Sequence, residues 1–127
     1  MKRLLFIPIL IAVTACSAST GSKGSSSVDR STLTREDIQS SGAIDAFVAV
    51  QTLRPHWLMK RGTTTLNQSE FIKIYLDGNL MGGPEHLRQI STHSIASIRY
   101  MDALDATQRY GLDHGQGAVL VYTKKGP

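Results

Sequence analysis

Four histidines, one cysteine and a few closely spaced carboxylates are the side chains of this 127-residue chain with the means to do chemistry. The histidines are His56, His86, His93 and His114. None has a second histidine at the helical spacings i+3 or i+4, and there is no H-E-x-x-H pair, so their spacing does not spell a metal site. A zinc centre needs three or four ligands in fixed geometry. Such a centre would require His86, His93 and His114 to be brought together by loops; solvated loop histidines are the simpler expectation. Asp102 and Asp105 share a helix face, where helix capping explains them as well as acid–base work does. Ser91, Thr92, Ser94 and Ser97 offer hydroxyls with no obvious base. The glycine-rich stretch 111–117, "GLDHGQG", precedes a strand, whereas a phosphate-cradling loop leads from a strand into a helix. No metal, no cofactor and no catalytic residue is expected. A small hydrolase using His114 or His93 is the alternative.

Cys16 is the one thiol, so no internal disulfide and no cysteine-based zinc site is available. It follows a basic start, Lys2 and Arg3, and the apolar run 4–13. That run is too short to span a bilayer, which takes about 20 residues, but it has the length of a secretory signal core. Val13-Thr14-Ala15-Cys16 resembles the bacterial lipobox. That resemblance implies cleavage before Cys16, acylation of its sulfur and of the new amine, and anchorage in a membrane. Several acyl chains hold where one binds only marginally. Ser17 in the next position implies sorting to the outer membrane. The expected organisation is a lipoprotein signal peptide over residues 1–15, a lipidated flexible tether over 16–32 and one domain over 33–127.

Charge supports a neutral mature surface. Losing Lys2 and Arg3 takes Lys plus Arg from 14 to 12 against 10 acidic residues. With no basic run and no aromatic platform, a nucleic-acid partner is not expected. Residues 17–32 are rich in Ser, Gly and Thr and lack the apolar content that offsets ordering entropy.

The elements that must position the candidate residues follow from pattern. Thr34 ahead of Arg35, Glu36 and Asp37 reads as a helix cap. Ile44, Phe47, Val48, Val50 and Leu53 or Arg54 recur at roughly helical spacing up to Pro55. Trp57, with Arg54, His56 and Arg61, forms an aromatic–basic cluster that is either a ligand or partner surface or a core tryptophan with basic neighbours. Residues 71–77, "FIKIYLD", alternate as a strand with Ile72, Ile74 and Leu76 on one face. Asp77-Gly78 marks a turn, and Pro84 starts a short helix. Residues 94–101 read as a strand with Ala96, Ile98 and Tyr100 on one face and Ile95, Ser97, Arg99 and Met101 on the other. Asp102 caps a helix that Gly111 ends, and Gly115 and Gly117 allow a tight turn into a last strand. That strand is apolar on both faces, as in the middle of a small sheet. Lys124 and Lys125 are expected to guard its end against edge pairing. The class is α+β: short helices on a small mixed sheet.

Three blocks resemble the plug domain of TonB-dependent outer-membrane receptors. They are Ile74-Tyr75-Leu76-Asp77-Gly78; "ISTHSIASIRYM" over 90–101, with Ile95 and Ile98 on paired isoleucine positions; and "DATQRYGLDHGQGAVLVYTKKG" over 105–126. The segment "LRPHWL" over 53–58 is similar to the start of short plug-like lipoproteins. Neither the barrel that follows a receptor's plug nor an energy-coupling box is expected here. The resemblance implies a free-standing, non-catalytic plug-like lipoprotein of the outer membrane that meets a barrel, another envelope protein or a ligand, with a link to TonB-dependent uptake. Binding is expected in two loops, around Asp77, Gly78 and Asn79 and around His114 and Gln116, because loops on a rigid scaffold carry recognition.

Overall fold

The computed structural model describes residues 29–62 and 71–125; the signal peptide, Cys16 and most of the expected tether lie outside them. Strand β1 (Thr32–Thr34) leads directly into helix α1 (Arg35–Ser40). Thr34 and Asp37 cap each other: the Thr34 hydroxyl accepts from the Asp37 N–H and the Asp37 carboxylate accepts from the Thr34 N–H. Helix α2 (Ala46–Leu53) starts at Asp45, whose carboxylate takes the Val48 N–H at 2.8 Å. A 3₁₀ turn over Pro55–Trp57 follows. Strands β2 (Lys73–Leu76) and β3 (Asn79–Gly82) form a hairpin. Two 3₁₀ turns, Pro84–Gln89 and Thr92–Ser94, precede β4 (Ile95–Met101). Helix α3 (Ala103–Tyr110), a turn at Leu112–His114 and β5 (Ala118–Thr123) complete the fold.

The sheet runs β1-β4-β5-β2-β3. Only β2 and β5 are parallel; the remaining pairs are antiparallel. The protein is therefore a small α+β domain with a mixed sheet and β5 at its centre. Val119 and Val121 join the larger core with Leu33, Ile38, Ala49, Val50, Ile74, Leu87 and Ile98. Ala118 and Leu120 face the other way, onto Tyr75, Met101 and Ala106 of α3. Burial on both faces explains the continuous apolar run of β5.

Several expectations are corrected. β1 and β3 were not legible as strands, and the boundary drawn between residues 32 and 33 falls inside β1. Helix α2 begins two residues after Ile44, so that side chain is not on the buried face and stands 77% exposed. The simple alternation in β4 fails as well. The ladder with β5 slips between Ile95 and Ser97, and the extra residue places Ile95 on the same core as Ile98. Lys124 and Lys125 do not guard a sheet edge, because β5 is central. Gly115 has an ordinary helical φ of −62°, whereas Gly117 sits at φ +92°, where an added Cβ would run into the Met101 carbonyl oxygen. Trp57 resolves to the core reading: it is 2% exposed and its ring stacks on Tyr100 at 5.4 Å.

Candidate functional site

The loop before α2 and the loop before β4 are laced together by backbone. The Ala46 N–H donates to the Ile90 carbonyl at 2.9 Å, and the Thr92 N–H to that of Ile44 at 3.2 Å. The Thr92 hydroxyl, nearly buried, donates to the Ala43 carbonyl at 2.8 Å, and Asp45 and Ser91 form a single β-bridge. These bonds leave little freedom in either loop, and Ile44 projects from them into solvent. A hollow of about 630 Å³ opens here, lined by Gln39, Gly42, Ala43, Ile44, Ser91, Thr92 and His93. It lies in the size range of small-ligand sites. His93 also borders a second hollow, of about 320 Å³, with Ser94, Thr123, Lys124 and Lys125. The first offers amide and hydroxyl groups around an aliphatic side chain. The second adds two ammonium groups, which favour an acidic group.

Asp77 belongs to this end of the sheet. Its carboxylate accepts from the Thr123 N–H at 2.8 Å and from the Thr123 hydroxyl at 2.7 Å, so it fixes one wall of the second hollow. Asp77 at φ 47° and Gly78 at φ 85° form the two-residue turn between β2 and β3. Asn79, the first residue of β3, is exposed.

His114 and Gln116 lie at the opposite end. They precede β5 and Thr123 ends it, a separation of roughly 20 Å at strand rise. The two loops expected to bind therefore do not converge. His93 and His114 are separated in the same way, and among the described residues no three His, Cys, Asp or Glu side chains group as a metal site would require.

His114 is also not a solvated loop residue: it is 6% exposed. Its Nδ1 lies 3.2 Å from the Gly111 carbonyl, which can only accept, so in the neutral ring Nδ1 carries the proton. Nε2 then accepts from the Tyr75 hydroxyl at 2.8 Å. Tyr75 stacks on Tyr110 at 4.4 Å. Both ring nitrogens of His114 are thus committed inside the fold. Burial, with the charges of Tyr110 and Asp113, pushes the Tyr75 phenol up from its ordinary range. Burial likewise pushes up Tyr100, with the Arg61 charge acting against it.

Gln116, also buried, grips the Arg61 backbone, accepting its N–H at 2.8 Å and donating to its carbonyl at 2.7 Å. Nothing in residues 111–117 as a sequence marks that partner, 55 positions away. Asp102 is explained by capping, since its carboxylate accepts the Asp105 N–H at 2.9 Å. The Ser94 hydroxyl donates to the Ser91 carbonyl. The sequence reading missed the hollow itself. Its available signal was Ile44, an apolar residue just ahead of the capping Asp45.

No family model, no curated protein and no solved structure matches the chain.

Proposed function

We propose that this protein is an envelope lipoprotein, anchored through Cys16 in the outer membrane, whose plug-like domain binds a partner protein or ligand and transforms neither. The observation that carries the binding reading is Ile44: a large aliphatic side chain, 77% exposed, at the rim of a 630 Å³ hollow whose loops are pinned by Thr92. Loops made rigid in this way are preorganised, which lowers the ordering cost of binding. The non-catalytic reading is supported by where the reactive groups are engaged. His114 is closed between Tyr75 and Gly111, Asp77 is held by Thr123, and Asp102 caps α3. A link to TonB-dependent uptake would come through a barrel as the partner, in keeping with the plug-like blocks of the sequence.

The test compares the full-length anchored protein with its Ile44→Glu variant in capture experiments from detergent-solubilised membranes. Ile44 is exposed, so the variant keeps its fold. The reading expects one or a few species retained by the wild type and lost with the variant. Identical recoveries, or none with either protein over a range of salt, would refute it.

A further inference from the structure

At the root of the domain a second cluster of side chains faces a shared space. Arg30, Leu53, Arg54 and His56 line a hollow of about 340 Å³. Each is held by backbone structure. The segment carrying Arg30 is tied down where the Thr32 N–H meets the Asp29 carbonyl and the Tyr100 N–H meets the Ser31 carbonyl at 2.6 Å. Arg54 ends α2, with its N–H on the Val50 carbonyl and its Nη1 donating to the Leu53 carbonyl at 2.9 Å. His56 lies edge-on to the buried Trp57.

Among the described residues no carboxylate lines the hollow. The acid next in sequence, Asp29, is already occupied. It accepts from the Ser31 hydroxyl and N–H and from the Thr32 hydroxyl, bonds that hold its carboxyl below the ordinary range, led by the Ser31 hydroxyl. Nor does either arginine have a carboxylate partner among the described residues. The bond from Arg54 to Leu53 answers one carbonyl at the negative end of α2 and leaves the other guanidinium donors available. Two planar forks around one small space match the oxygens of a phosphate, which arginine meets in paired bonds.

We propose that the hollow lined by Arg30, Arg54 and His56 is a binding site for a phosphate group. The source of that phosphate rests on the anchoring reading above. Residue 30 lies fourteen positions past Cys16, so a lipid anchor there keeps this corner of the domain within about 50 Å of the bilayer, and a lipid headgroup supplies the phosphate.

The full-length chain with Cys16→Ser, which cannot be lipidated, separates the two ideas. Its amide resonances are followed on addition of inorganic phosphate, of glycerol phosphate, and of sulfate as a control. Saturable shifts at Arg30, Leu53, Arg54 and His56 are expected with both phosphates. Arg54→Gln and Arg30→Gln should each weaken binding about tenfold, and Arg54→Lys should restore part of it. Vesicles of phosphatidylcholine with and without phosphatidylglycerol then distinguish sources. A greater loss on Arg30→Gln for the anionic vesicles than for the soluble phosphates assigns the site to headgroups, and equal losses assign it to free phosphate esters. Shifts that sulfate reproduces at the same concentration, shifts elsewhere in the domain, or binding unchanged by both Gln variants while their fold is intact would overturn the site. None of these outcomes bears on lipidation of Cys16.

Discussion

At Asp77 one carboxylate does two jobs. It occupies a left-handed turn position and it holds the end of the central strand through Thr123. Asp77→Ala should therefore lower unfolding free energy by about 1–2 kcal/mol, the cost of leaving a part-buried N–H and hydroxyl without their acceptor. Asp77→Asn, which tolerates the turn and keeps an acceptor oxygen, should cost less; urea unfolding of the pair checks the order. Tyr75→Phe should cost a similar 1–2 kcal/mol by stripping His114 Nε2 of its donor. The two raised phenols make a pH statement. Tyr75 and Tyr100 bind their protons more tightly when folded than at the usual pKa of about 10. Their share of stability is complete below that value and falls as pH rises toward the folded pKa. Tyrosinate absorbance should show both lagging free tyrosine, with unfolding free energy declining above about pH 10. At this scale the sequence was informative about caps and turns, since Thr34, Asp102, Gly111 and Asp77-Gly78 act through near neighbours. It was uninformative about Gln116 and His114, whose partners are set by the tertiary fold.

Gly117 governs how the elements β4, α3 and β5 meet. A Cβ there would lie 2.6 Å from the Met101 carbonyl oxygen, and its φ is +92°. Backbone strain at such a position costs about 1–3 kcal/mol for a residue with a side chain, and the contact with fixed backbone adds to it. Gly42 shares a positive φ of +66°, but a Cβ there would meet nothing within 4 Å, so Gly117→Ala should lower the melting temperature beyond the same change at Gly42 by the added cost of the backbone contact. Calorimetry on the two variants makes the comparison. The central strand was legible because burial on both faces leaves a continuous apolar run. The edge strands β1 and β3 were not, because each is short and mostly polar or exposed. The bulge in β4 leaves no mark in residue types: "SIASIRYM" reads equally well as plain alternation. Nor did spacing reveal that α2 starts at Ala46, because Ile44 fits the same period from outside the helix.

For the whole molecule, the topology sets the two loops expected to bind at opposite ends of the central strand. Parallel pairing of β2 with β5 puts the Asp77 turn beside Thr123 and His93, and leaves His114 at the far end. One hollow surrounds Ile44 and His93, an arginine-lined hollow lies beside Arg30 and Arg54, and the proposed anchor precedes both in the chain. The reading depends most on that anchor, since it decides what the domain meets. Intact-mass spectrometry of the protein extracted from cell membranes tests it. The account predicts a chain that begins at Cys16 and carries the added mass of a diacylglyceryl group and a further acyl group. A chain with a free Cys16 thiol, or one that retains residues 1–15, would contradict it.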